Sequence, residues 1–274
     1  METKTFIVPH DFTAVAENAL NHAIATAKTL DAQIYVVHVV QKEKNIKEAE
    51  VKLAAVLGAL DTTVKLIPKV RVGNIFDDIG DFAAEHHAEI IFMGTHGASG
   101  WQHVTGSNAL KVVTHSDVPF IIVQEKKIKP NGYDDIVVPL DLNKETKQKL
   151  AIVANLAAYF KSRVHVITPN ETDEFLRKKV QANILFANRF FSERGIEVTT
   201  TLAQKSNFEK EVLKHAVTID ADLIAIMNLN RNNLLGAIGT NSEQYIISNE
   251  AQIPTLVINP IDSPYGTSVM FGNY

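Results

Sequence analysis

The chain contains no cysteine. That excludes disulfides, thiolate nucleophiles and cysteine-ligated metals, and it fits a reducing compartment. No apolar run approaches the roughly 18 residues that a membrane span requires. No charged and then apolar leader pattern opens the sequence. An excess of one charge is missing too: 27 Lys and Arg against 31 Asp and Glu leave a net charge of −4. The basic residues are spread along the chain, which argues against a nucleic acid partner. The expectation is a soluble, cytoplasmic protein with neither a membrane nor a nucleic acid as partner. What remains is an ordinary globular mixture, 46% hydrophobic and 21% charged over 274 residues. That length suits one large domain or two of common size.

A repeat decides between these. Phe6-Ile7-Val8-Pro9-His10-Asp11 returns as Ile136-Val137-Val138-Pro139-Leu140-Asp141. Val37-His38-Val39 is matched by Val164-His165-Val166, and Ala88-Glu89-Ile90-Ile91 by Ala221-Asp222-Leu223-Ile224. Gly106-Ser107-Asn108 returns as Gly239-Thr240-Asn241, and both halves close on an apolar run after Pro119 and Pro254. The division read from this is a first unit at 1–125, a linker at 126–134, a second unit at 135–260 and a tail at 261–274. Units of this size can bury an adequate core. The linker carries Lys126, Lys127 and Lys129 with Pro130 and Gly132, and reads as a solvated connection rather than a binding patch. The tail loses periodicity and reads as frayed chain.

Within the first unit the hydrophobic period alternates. Short apolar runs at Thr5–Pro9, Gln33–Val40, Val64–Val72, Glu89–Met93 and Phe120–Val123 read as strands. Helical spacing occupies the intervals, as in Leu20, Ile24, Ala27 and Leu30. Pro68 places its strand at a sheet edge or bulge, because proline cannot donate to a ladder. Strands alternating with helices predict an α/β fold of parallel sheets joined by right-handed crossovers.

In an open parallel sheet, ligands bind beyond the carboxyl ends of the strands, where the strand order reverses. Two stretches there attract attention. One is Pro9-His10-Asp11-Phe12-Thr13; the other runs from Met93 and Gly94 through His96 and Gly97 to Gly106-Ser107. Bare glycine backbone lets an anion approach N–H groups closely. A glycine and a hydroxyl at a helix start add the positive end of the dipole.

On these residues the chain resembles the universal stress protein family in its tandem two-domain form. Nucleotide-binding members carry Gly-x2-Gly-x9-Gly-Ser/Thr; here Gly94, Gly97, Gly106 and Ser107 match, with eight residues instead of nine in the long gap. Deleting one residue displaces a backbone donor by up to about 3.5 Å. The resemblance implies two Rossmann-like units, each with a five-stranded, mostly parallel open sheet of order 3-2-1-4-5. It implies that the two fifth strands pair across the units, hiding two edges, and that two copies of the chain associate as a homodimer. It implies ATP or another adenine nucleotide in the first unit, with Mg as an accompanying ion. Asp11 would meet the ribose or the metal, and Val39 would offer backbone groups to adenine. Gly94, Gly97, Gly106, Ser107 and Asn108 would wrap ribose and phosphates, and His96 would lie near a phosphate. Pro9, Thr13 and Met93 complete the candidate set.

The second unit departs from this pattern. Aligned from Ala221, Gly94 becomes Met227, Gly97 becomes Asn230 and Gly100 becomes Asn233. Side chains stand where the first unit has bare backbone, so the expectation is one nucleotide site, in the first half. The ten histidines show no ligand spacing that defines a metal site. His38 and His165 occupy matching places in the repeat and read as packing residues. Ser107 has no histidine and acid placed to activate it, and the loop lacks the Gly-Lys-Ser/Thr ending of a P-loop. No catalytic residue is assigned. The resemblance makes a stress-response regulator or sensor the leading reading. A nucleotide-free scaffold with an unidentified protein partner and a slow ATPase or nucleotidyl transferase are the rivals.

Overall fold

The computed structural model describes residues 3–95, 113, 116–142, 147–229 and 241–260, the side chains at 76–77 and 241–242 excepted. In its first half β1 (Thr5–Pro9), β2 (Gln33–Val40), β3 (Leu66–Val72), β4 (Ile90–Gly94) and β5 (Phe120–Val123) alternate with α1 (Ala14–Leu30), α2 (Ile46–Gly58) and α3 (Ile75–Glu85). The second half repeats the plan with β6 (Asp135–Pro139), β7 (Arg163–Pro169), β8 (Val198–Ala203), β9 (Leu223–Met227) and β10 (Thr255–Ile258). Its helices are α4 (Lys149–Phe160), α5 (Glu174–Ser192), α6 (Phe208–Thr218) and α7 (Asn241–Ile247).

One ten-stranded sheet runs β3-β2-β1-β4-β5-β10-β9-β6-β7-β8. Each half thus has the order 3-2-1-4-5, and the two meet where β5 and β10 pair antiparallel, Ile121 opposite Leu256. All other ladders are parallel. Pairing the two short apolar strands satisfies backbone groups that would otherwise lie exposed at two edges. Pro68 lies in β3 at the outer edge, where its missing N–H costs no ladder bond.

Helix α1 shows why the chain folds this way locally. Thr13 caps its start, accepting from the Ala16 N–H at 3.4 Å. Ala16, Ala19, Leu20, Ala23, Ile24, Ala27 and Leu30 turn one buried stripe to the sheet. Asp31, at φ 51° and ψ 47°, ends it in the left-handed region. Residues of α1, α2, α4 and α5 share one face of the sheet, and those of α3, α6 and α7 share the other.

Two expectations need correction. The repeat placed His38 opposite His165, but register separates them by three residues. His165 pairs with Val137, and the equivalent Ile7 pairs with Tyr35. The similarity of two Val-His-Val triplets is a coincidence of β propensity, which sequence alone has no means to phase. The linker, read as solvated, is instead tied down. Lys126 and Lys129 reach Asp220 at 3.4 and 2.8 Å, and Ile128 packs on the core. Tyr133 is 1% exposed, between His22 of α1 and Phe160 of α4. Gly132, at φ 88°, lies where a side chain would collide with the Phe160 ring.

Candidate functional site

Strands β1 and β4 are neighbours, yet the helices that follow β1 and precede β4 cover opposite faces. The switch point lies between them. Their ladder contains only Phe6–Ile90 and Ile7–Ile91, against five pairs between β1 and β2. The ladder ends at Ile7, and beyond it Val8 to Asp11 and Phe92 to Thr95 lie at the carboxyl ends of the two strands. Such sheets usually bind ligands at this place.

The structure brings Pro9, Asp11, Thr13, Val39, Met93 and Gly94 to this rim. Asp11 is exposed, and its Oδ1 accepts from the Thr13 N–H at 3.1 Å and the Thr13 hydroxyl at 2.5 Å. Its other oxygen takes part in neither bond. Thr13 is at once that donor and the cap of α1, so the aspartate is oriented by the helix start. Val39 lies two residues past Val37, the partner of Pro9, and packs with Met93 against the α3 face.

Gly94 has a role that sequence reasoning did not assign. A Cβ there would overlap the Val15 carbonyl and stand 2.7 Å from the Ala16 nitrogen. Glycine is what lets the first turn of α1 settle directly on β4. The remaining candidates His96, Gly97, Gly106, Ser107 and Asn108 lie outside the described residues.

Between Pro9 and Asp11, His10 is 4% exposed; its Nδ1 accepts from the Phe12 N–H at 3.2 Å, so Nε2 carries the proton. That buried Nε2–H has no partner. Burial also holds the imidazole below its ordinary pKa, keeping it neutral. Phe12, at φ 68°, packs on the α1–α2 face, 4.5 Å from the His38 ring. Lys52 Nζ lies 4.2 Å over the Phe12 ring. The aromatic next to Asp11 is thus turned into the core face. His38 donates from Nδ1 to the His10 carbonyl at 2.7 Å and fixes this loop.

The second half opens in the same way, with only Ile136–Leu223 and Val137–Ile224 paired between β6 and β9. Its contents differ. Met227 stands at the place of Gly94 and is 4% exposed. Helix α4 begins ten residues after Pro139, whereas α1 begins five after Pro9. Lys149, in the register of the buried Ala19, is 2% exposed and donates to the Pro139 carbonyl. Around it is a crevice of about 110 Å³, lined by Asp141, Phe208, Glu209, Val212, Ile226, Met227 and Glu243 among others. Ligand pockets for drug-sized molecules run to roughly 300–1,000 Å³, so among the described residues this crevice is smaller than such a site. A signal for Lys149 was present in the sequence, since it continues the stripe of Val153, Leu156 and Ala157.

Among the described residues no group of three or more His, Asp or Glu could hold a metal ion. Neither is any described helix long and apolar enough to cross a membrane.

The duplicated open sheet with loops converging at a switch point defines a Rossmann-like α/β protein. Residues 2–124 match the family model described as the universal stress protein family. Over 145 aligned residues the chain is 28% identical to a universal stress protein of Methanocaldococcus jannaschii, covering 45% of this chain and 84% of that one. It is 26% identical to universal stress protein G of Salmonella typhimurium, covering 44% and 99%. In structure it is similar over both halves to a universal stress protein from Archaeoglobus fulgidus, with TM-score 0.72, 18% identity, and coverage of 94% of this chain and 97% of that chain. The first half of the chain, residues 2–124, thus matches the universal stress protein family, and the second half repeats its strand order.

Proposed function

We propose that the first half binds ATP or a related adenine nucleotide beyond the parted ends of β1 and β4, and that the protein acts through this site as a stress-response regulator or sensor. The observation that carries the reading is the short β1–β4 ladder, which ends at Ile7 and leaves Asp11 exposed beyond the carboxyl ends of the two strands. A carboxylate oxygen not used in the turn suits ribose hydroxyls, which donate hydrogen bonds. Lys52, over the ring of Phe12 next to Asp11, adds a positive charge near this end of the sheet that suits phosphates. The glycines and Ser107 of the family pattern supply the remainder of the expected cradle.

Heating the purified protein with and without Mg-ATP tests this. At a hundredfold excess over the dissociation constant, the nucleotide stabilises the folded state by about 2.7 kcal/mol. Asp11→Ala should weaken the shift at least tenfold in apparent affinity, and Gly97→Val should abolish it. Absence of any shift in the wild type, with no nucleotide released on denaturation, overturns the reading in favour of a scaffold.

A further inference from the structure

The second half contains a buried amine that the proposed nucleotide site does not use. Lys149 is 2% exposed at a position where the first half has the buried Ala19. Desolvating an ammonium is costly, so a lysine in a core stripe calls for a use. Its Nζ donates to the Pro139 carbonyl at the end of β6, which fixes the amine at the crevice wall. The crevice opens to solvent, and its walls join Phe208, Val212, Ile226 and Met227 to the carboxylates of Asp141, Glu209 and Glu243. At about 110 Å³ it has room for a molecule of only a few heavy atoms.

We propose that this crevice captures a small aldehyde or ketone as an imine on Lys149 Nζ. The neutral amine adds to the carbonyl carbon, forming the C–N bond while the carbonyl oxygen takes up a proton. The resulting carbinolamine then loses that oxygen as water, both amine protons having left nitrogen, and C=N forms. No oxidant or reductant is needed, and hydrolysis reverses the step. Burial supports the chemistry: it lowers the Lys149 pKa to about 8, opposed by the nearby Asp141 charge. At pH 7.5 about a quarter of such amines are neutral, against about 0.1% of ordinary lysines near pKa 10.4. Binding of this kind is independent of the first half, so it stands or falls separately from the nucleotide reading.

The test uses the full wild-type chain incubated with propanal at pH 7.5, reduced with cyanoborohydride, digested and examined by mass spectrometry. Lys149 should acquire the reduced adduct at least tenfold faster than the median of the other lysines, with a rate that rises to a midpoint near pH 8. The comparison is internal to one molecule and needs no variant to fold. Lys149→Arg should remove this adduct and leave the others. Labelling of Lys149 no faster than exposed lysines overturns the proposal. So does equal labelling by a bulky biphenyl aldehyde, because the crevice would then be exerting no selection.

Discussion

The two halves share a backbone plan and a parting of strands at the same switch point, yet they fill that opening differently. In the first half a glycine at the end of β4 admits the first turn of α1, and an exposed aspartate lies on the rim. In the second, helix α4 starts later, Met227 occupies the glycine position and a lysine reaches the end of β6. The lesson is that duplication conserved the sheet, whose hydrogen bonds and apolar faces are demanding everywhere. The crevice was free to diverge, because only its occupant constrains it.

The sharpest way to break this comparison is to exchange the sizes at the matched position. Met227→Ala should destabilise the second half by about 2–5 kcal/mol, the usual cost of truncating a large core side chain. Gly94→Ala should cost the first half about 1–3 kcal/mol, since the added methyl meets backbone and not a flexible side chain. Urea denaturation followed by hydrogen exchange in each half measures both. Equal tolerance at the two positions would mean that α1 does not rest on Gly94.

A second contrast lies in pH. His22, bonded to the Tyr133 hydroxyl at 2.9 Å and the Lys126 carbonyl at 3.0 Å, is held by burial at a pKa of about 4. Its unfolded value is near 6.5, so the unfolded chain takes up the proton first. Its neutral form stabilises the fold above pH 6.5, and about 3 kcal/mol is lost as pH falls from 6.5 to 4. Lys149 acts at the other end. With a folded pKa of about 8 against 10.5, stability rises by about 3 kcal/mol as pH climbs from 8 to 10.5. Between wild type and His22→Gln, or wild type and Lys149→Met, the stability gap read from urea denaturation should change by about 3 kcal/mol across the respective window and stay constant outside it. Parallel curves would show that neither group is desolvated.

The smallest expected difference concerns the second helix of each half. Asp173 caps α5, accepting from the Leu176 N–H at 2.9 Å, while Asn45 before α2 makes no side-chain cap bond. Asp173→Ala should therefore cost about 1 kcal/mol, and Asn45→Ala only a few tenths. Thermal melts of the two variants check the ranking.

Much of the fold was legible. The bounds of β1, β2 and β5 follow from apolar runs between proline and turn residues, and Pro68 marked the outer edge. The Val-His-Val match failed because strand register is a pairing property, and one triplet phases nothing. In the linker, Lys126 and Lys129 looked solvated because their partner Asp220 is some ninety residues away in sequence. Of the candidate site, Asp11 and Thr13 were legible from their place after a strand. The packing role of Gly94 was not, because the backbone it admits belongs to a helix far from it in the chain.

By itself the sequence determined the repeat, the alternation of strand and helix, and the rim on which Asp11 stands. These are carried by local periodicity and by residue types with narrow conformational preferences. Tertiary structure alone decided how far β1 and β4 stay paired, which way Phe12 turns, and that Lys149 is buried at a crevice. Each of these depends on contacts between segments distant in the chain, where packing and desolvation act and local pattern does not.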